Sequence, residues 1–348
     1  MSMPLSAEQH ELVAVARKLL AGPAGSLPPA WEARDAGADR ALWRSLGELG
    51  LLGLGVAEDR GGSGGGMREL CLVAEQVGIA VARIPFSGAA AVLAFDHEHA
   101  DAVARGSVLA IPAWETFPVV PGRRAAALEL TGSTVDGELR SVGFGMDADL
   151  VLAFAGDTPV LVDLAGPGVA RSPREAFDVT EPVASIRLTR AAATVLAPVE
   201  YAPRTLTVVA AELVGTGQRA LDGAVEYAKQ RHQFGRAIGS FQAIKHLLAD
   251  RHVQLDGTRL LVERAAAAID EGRPDAELAA RTALAAATEA AQRAAGDALQ
   301  VHGGIGFTWE HPSHVFLKRT RARRSLFGSP ARQLDSLGAR LFAAPTGG

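Results

Sequence analysis

Cysteine is nearly absent. The single Cys71 among 348 residues excludes an internal disulfide and any cysteine-based metal cluster. It sits in an apolar helical pattern with Leu70, Leu72 and Val73, where a small buried hydrophobe is expected rather than a nucleophile. Lysine is almost as scarce: four of the 35 basic residues are lysine, and with abundant alanine this fits a GC-rich bacterial gene. A formal net charge of -4 leaves no basic field for nucleic acid. No apolar run approaches the roughly 18–20 residues of a membrane span. The N-terminal segment Met1–Gln9 lacks a basic stretch leading into an apolar core. A cytoplasmic protein with neither nucleic-acid nor membrane partners is expected.

What is present is apolar material in quantity. Hydrophobic residues make up 48% of the chain, enough at this length for two or three packed units. From Ser6 to about Ala104 the period is helical, with Ser6 placed as an N-cap before the stripe Leu12, Val13, Ala16, Leu19 and Leu20. A second stretch around Leu42–Leu52 stops at Gly53, and the run Gly61-Gly62-Ser63-Gly64-Gly65-Gly66 precedes a helix predicted from Met67. Such glycines can cradle phosphate. Neither a preceding strand nor a lysine in register accompanies them, so a helix-helix connection is the better reading. Between about Gly106 and Pro198 the pattern turns to short β-prone runs at 108–111, 126–130, 150–154, 160–162 and 184–188, separated by Gly, Pro and Asp. After Pro203 the residues Leu206, Val209, Leu213, Gly217, Leu221, Val225 and Ala228 recur at spacings of three and four. Two further helices are predicted, one through Ile244, Leu247, Leu248, Leu255 and Val262. The other is alanine-rich, from about Asp275 to Val301, and His302-Gly303-Gly304 should stop it with a left-handed cap. The expected fold is α+β and multi-domain. It comprises an N-terminal helical domain over 1–105, a small middle β-domain over 106–200, and a C-terminal domain like a four-helix bundle over 201–348.

Two segments carry chemistry. Residues 227–242 read YAKQRHQFGRAIGSFQ. Their Arg231 guanidinium suits paired contacts with pyrophosphate oxygens, the Gln233 amide suits adenine or ribose, and the Phe234 ring can cover an apolar face. Taken singly, each also fits an ordinary surface, Arg231 as a cation favoured at a helix C-terminus. Residues 300–307 read QVHGGIGF, a glycine-terminated helix and tight turn. His302, Glu310, His311 and His314 lie nearby, but they form no clean i,i+4 pair and Pro312 interrupts them; no metal is expected.

Together these two segments resemble the acyl-CoA dehydrogenase family, as does Leu49-Gly50-Leu51-Leu52-Gly53 with the glycine loop that follows it. The likeness covers nearly the whole chain. It implies FAD as cofactor, an acyl-CoA thioester as substrate, an electron-transfer acceptor, and a homo- or heterotetramer. It further implies that Arg231, Gln233, Phe234 and Gln242 lie at a subunit interface and hold the ADP part of a flavin bound mainly by a neighbouring chain. Gln300, Gly303 and Gly304 would bring backbone close to the same moiety.

The reaction of that family needs a carboxylate to take the proton α to the thioester carbonyl while the β-hydride goes to flavin N5. Here the two positions that carry this base in the family correspond to Phe327, before Gly328-Ser329, and to Thr205, and neither accepts a proton. Glu212 lies two turns beyond Thr205, roughly 10 Å along the helix, on an expected polar stripe with Arg219 and Glu226. A solvated or ion-paired role is favoured for it over that of a base, so the catalytic residue is unknown. Residues 111–118 stand where the family has a Thr-Glu-Pro-x-Ala-Gly-Ser-Asp stretch against flavin and thioester, and Trp114 or Thr116 are the residues there able to reach a flavin.

The ADP side survives while the base and the ring-contacting loop do not. Within the family this resembles one chain of an α2β2 assembly, as in steroid side-chain dehydrogenases of bacterial lipid and steroid catabolism. Such a chain completes the FAD site of a second acyl-CoA dehydrogenase-like chain, which supplies the glutamate. The alternatives are a self-sufficient homotetramer with an atypical base such as Glu212, a flavin-dependent monooxygenase of the same fold, and a catalytically silent scaffold.

Overall fold

The computed structural model describes residues 4–21, 35–118, 128–328 and 330–342. Five helices come first: α1 (Ala7–Leu20), α2 (Ala36–Glu48), α3 (Met67–Ala80), α4 (Phe86–Val92) and α5 (Ala100–Ala104). Ser6 caps α1 reciprocally, its hydroxyl accepting from Gln9 N at 3.1 Å while the Gln9 side chain accepts from Ser6 N at 3.0 Å. Ala16 and Leu20 of the expected stripe are buried, and Leu12 and Leu19 pack against the same core. The glycine run before α3 folds back on itself, with Val56 and Gly64 bridged in antiparallel fashion. The first amides of α3 are already spoken for. Gly66 N donates to Glu69 at 2.9 Å, and Met67 N and Arg68 N donate to the Asp270 carboxylate at 2.7 and 3.3 Å. Carboxylates thus stand where a phosphate cradle would need open donors.

The middle unit is a seven-stranded sheet of β1 (Ala110–Pro112), β2 (Glu129–Thr131), β3 (Thr134–Gly143), β4 (Leu150–Ala155), β5 (Thr158–Asp163), β6 (Val169–Arg174) and β7 (Val183–Val195). The order is β1-β4-β5-β7-β3-β2, with β6 also paired to β7. β1 runs parallel to β4 and the other pairings are antiparallel. The start of β7 pairs with β3 and β6 and its end with β5, so one long strand ties the two halves of the sheet together. Two strands escape the sequence reading. β3 shifts register between Val135 and Gly137 and again between Leu139 and Val142, and β6 is mostly exposed and carries Pro173, so neither keeps a clean period of two. Ala126 and Ala127 of the expected second run lie outside the described residues.

Five helices complete the chain: α6 (Ala202–Gln230), α7 (Gln242–Asp270), α8 (Ala276–His302), α9 (Ser313–Leu326) and α10 (Pro330–Leu341). α8 packs against α6, α7 and α9. Its buried alanines at 280, 283, 287, 291, 294, 295 and 298 are small enough to let neighbours close in on several sides. α3 and α6 cross in backbone contact: a Cβ on Gly78 would fall 2.1 Å from Glu212 O, and one on Gly215 would fall 2.1 Å from Glu75 O. Only glycine fits at either crossing point. A continuous apolar core runs from Leu20 and Trp43 through Leu152 and Ile186 to Leu206 and Ala283, and so joins all three units.

Candidate cofactor and catalytic site

The rings of Tyr227, near the end of α6, and His302, ending α8, lie 4.6 Å apart, which brings the two sequence motifs to one end of the bundle. Beyond α6 the chain makes a tight hairpin in which His232–Gln233 pairs with Arg236–Ala237. Phe234 sits at its tip with φ +52°, 92% exposed. Arg231, Gln233 and Gln242 are exposed beside it, and the Arg236 guanidinium lies 4.1 Å over the ring of Phe241. The Phe234 ring meets Phe241 edge-on, with centroids 6.2 Å apart, and otherwise faces solvent. Gln300 is also exposed.

The turn after α8 corrects one expectation. Gly303 has the positive φ of +63° that a glycine stop requires, but its ψ of -142° lies outside the left-handed helical region, in territory essentially reserved for glycine. A Cβ on Gly304 would meet nothing within 4 Å, so packing does not require glycine there and the backbone faces open space.

The histidine rings beside this turn pack against one another at a tilt of 45°. His302 Nδ1 donates to Ala298 O at 2.6 Å, the rings of His302 and His311 are 4.2 Å apart, and His311 Nδ1 accepts from Ser313 N at 3.2 Å. Among the described residues no three His, Cys, Asp or Glu side chains converge as a metal site would need. Burial first, and then the cost of placing a cation beside His302 and His314 when those are protonated, push His311 down to about 4. Burial likewise lowers His302. Both rings are neutral near pH 7.

The two positions that the resemblance matches to the family's base, Thr205 and Phe327, are both buried. Thr205, on the first turns of α6, is fully buried, and its hydroxyl has no hydrogen-bond partner among the described residues. Phe327 is buried just past α9 and meets Trp114 edge-on, with ring centroids 5.3 Å apart; Ser329 lies outside the described residues. Trp114 continues into an aromatic cluster through Phe117 at 5.2 Å, and Phe117 reaches Phe154 at 4.9 Å and Tyr201 at 5.4 Å. Phe95 stacks on Tyr201 at 5.5 Å, so all three units contribute a ring. Trp114 and Thr116, the residues expected to be able to reach a flavin, are both buried. Trp114 packs between Phe327 and Phe117. The Thr116 hydroxyl, fully buried, donates to Ala113 O at 2.8 Å and accepts from Phe154 N at 2.9 Å, which leaves it no proton to donate elsewhere.

Glu212 has the ion-paired role favoured for it, but not the expected position on the helix surface. It is not on the solvent-facing stripe of Arg219 and Glu226, which are exposed; it points inward and is 4% exposed. Its carboxylate accepts from Ser87 N and Ser87 Oγ, both at 3.0 Å, and meets the Arg323 guanidinium at 3.5 Å. Arg323 also lies 3.2 Å from Glu181. Burial opposes the charge on Arg323, but Glu181, Glu212 and Asp178 outweigh it and hold its pKa above the usual value. One turn earlier, Arg319 pairs with Asp178 at 2.7 Å and donates to Thr180 Oγ1 at 3.0 Å. These buried arginines join sheet, bundle and N-terminal helices. The i,i+4 spacing of Arg319 and Arg323 beside Val315 and Phe316 is the sequence signal that could have marked them as inward-facing.

Residues 6–97 match the acyl-CoA dehydrogenase N-terminal domain and residues 205–342 match the acyl-CoA dehydrogenase C-terminal domain. The chain belongs to the acyl-CoA dehydrogenase family. It is 31% identical to the acyl-CoA dehydrogenase IpdE2 of Mycolicibacterium smegmatis, over 88% of this chain and 90% of that protein. It is 35% identical to the acyl-CoA dehydrogenase FadE34 of Mycobacterium tuberculosis over 87% of this chain, but spans only 42% of that longer relative. Among solved structures, the ChsE4-ChsE5 complex from Mycobacterium tuberculosis is similar with a TM-score of 0.85 at 26% identity, covering 99% of this chain and 100% of that one. A Tcur3481-Tcur3483 steroid ACAD variant is similar with a TM-score of 0.84 at 28% identity, covering 97% and 99%. Acyl-CoA dehydrogenases are FAD-dependent oxidoreductases. No helix among the described residues is long and apolar enough to cross a membrane.

Proposed function

We infer that this chain is the subunit without a catalytic base in a heterotetrameric acyl-CoA dehydrogenase that acts on an acyl-CoA thioester, of steroid type, in lipid or steroid catabolism. The observation that carries this reading is the contrast between the two halves of the site. The groups read as ADP-side stand open at one end of the bundle, while Thr205, Phe327, Trp114 and Thr116 are buried. The similar ChsE4-ChsE5 complex pairs two different chains.

When bound, FAD supplies the hydride acceptor for α,β-dehydrogenation. This chain's contribution is to hold and orient it. Arg231 would pair with the pyrophosphate, Gln233, Gln242 and Gln300 would hydrogen-bond adenine or ribose, and Phe234 would cover an apolar face in the neighbouring subunit. Gly303 and Gly304 would let the backbone close on the ADP moiety, in keeping with the open space in front of both. The donor set suits a dinucleotide diphosphate. Proton abstraction is assigned to the partner chain, because Phe327 and Thr205 cannot perform it and Glu212 is committed to Ser87 and Arg323. Electrons would leave to an electron-transfer acceptor.

The test is the visible spectrum and native mass of this chain purified alone and then co-expressed with an acyl-CoA dehydrogenase-like partner. A colourless chain that becomes a yellow heterotetramer only with the partner is expected. A yellow homotetramer formed by this chain alone would overturn the shared-site reading.

A further inference from the structure

The segment Trp114–Thr116, which takes the place of the family's flavin-contacting stretch, and Phe327, which takes the place of the base, are far apart in sequence yet converge in the fold. They converge on each other. The two rings meet edge to face at 5.3 Å between centroids, and both residues are buried. A planar ligand held between two groups would keep them roughly 7 Å apart, twice an ordinary van der Waals contact of about 3.5 Å. No such gap exists between Trp114 and Phe327. The flanks are closed as well: Phe117, 5.2 Å from Trp114, leads on to Phe154 and Tyr201.

The neighbouring polar groups point the same way. Thr116 spends its hydroxyl on Ala113 O and Phe154 N, and the phenolic pKa of Tyr201 is pushed up by burial. Thr116 has no proton left to donate to a carbonyl of an isoalloxazine ring or a thioester.

We propose that Trp114 and Phe327 form a built-in plug that excludes both a flavin ring and an acyl thioester from this chain's own centre, so that the chain serves flavin only through its outward ADP-side donors. The proposal rests on the shared-site reading and adds to it the cause of the asymmetry. Loss of a base alone would leave an inactive site that still binds flavin, whereas a plug leaves no site to bind it. It follows that restoring the carboxylate with Phe327→Glu is insufficient, because Trp114 remains.

The discriminating probe is lumiflavin, which carries the isoalloxazine ring without ribityl chain or ADP and is therefore blind to Arg231, Gln233 and Gln300. Full-length wild-type protein is expected to leave lumiflavin fluorescence unchanged at up to a hundred-micromolar protein, whereas Phe327→Ala should quench it saturably, with at least a tenfold gain in apparent affinity. If Phe327→Ala fails to fold by circular dichroism, Trp114→Phe trims the other half of the contact and should give a smaller gain. Saturable quenching by the wild type would overturn the plug, and so would folded variants that gain nothing. The shared-site reading fails separately, when Arg231→Ala leaves the FAD content of the co-expressed assembly undiminished, a result that lumiflavin binding does not touch.

Discussion

Arg323 on α9 lies 3.5 Å from Glu212 on α6, and the same carboxylate is held on its other side by the backbone amide and hydroxyl of Ser87. Glu212 is therefore a junction between N-terminal helices and bundle, and Arg323 extends the junction to the sheet through Glu181 at 3.2 Å. Replacing Arg323 by Met would leave two carboxylates buried without their counter-charge. A loss of about 3–5 kcal/mol is expected, read from the denaturation midpoint of the purified chain. A loss below about 1 kcal/mol would mean that the network is not coupled to folding.

Glu212→Gln separates structure from chemistry at the same place. The amide keeps an acceptor for Ser87 but gives up the ion pair, so the melting temperature should fall while the flavin content and turnover of the co-expressed assembly stay within about twofold of wild type. Collapse of turnover with flavin retained would return Glu212 to the role of base.

Thr205 offers a prediction of opposite sign. Its hydroxyl is fully buried with no hydrogen-bond partner among the described residues, and such a group costs about 1–3 kcal/mol of desolvation. Thr205→Val, equal in shape, should raise stability by about 1 kcal/mol. A destabilised variant would point to a buried partner for this hydroxyl, such as an ordered water.

The adjacent glycines of the α8 turn should behave differently. Gly303→Ala forces a side chain into φ +63°, ψ -142° and should cost about 1–3 kcal/mol. Gly304→Ala meets no neighbouring atom and should leave the melting temperature nearly unchanged, yet lower the FAD retained by the assembly after gel filtration. Equal flavin retention in wild type and Gly304→Ala would remove that glycine from the cofactor site.

Acid should destabilise the end of the bundle where the histidine rings pack together. His311 titrates near 4 in the fold, below the ordinary value of 6.5, because burial and then His302 and His314 disfavour its cation. The unfolded chain then binds more protons between those values, so stability is complete above about pH 6.5 and is lost as the pH falls toward 4. The melting temperature should drop over that window, and His311→Asn should flatten the drop. An unchanged slope in His311→Asn would assign the acid sensitivity elsewhere.

Much of this protein could be read along the chain. The Ser6 cap, the apolar stripe of α6, the alanine run of α8 and the glycine stop at Gly303 are local patterns, set by neighbours three or four residues away, and they appear where the periods indicate. The strings at 227–242 and 300–307 likewise carried the family resemblance, which is a matter of residue identity and order and needs no tertiary contact to be seen. That Phe327 and Thr205 cannot serve as a base was visible too, since phenylalanine and threonine cannot accept a proton wherever they sit. What the sequence could not decide was direction. Glu212 looks like part of a polar helical face, yet it turns inward because Gly78 and Gly215 let α3 and α6 touch there and because Ser87 and Arg323, distant in sequence, satisfy it. Trp114 and Phe327 belong to different units, and only the closing of sheet against bundle brings their rings into contact. Composition and period determined the elements; long-range packing, to which no local pattern is sensitive, decided which polar groups are spent on the fold and which stand open to solvent.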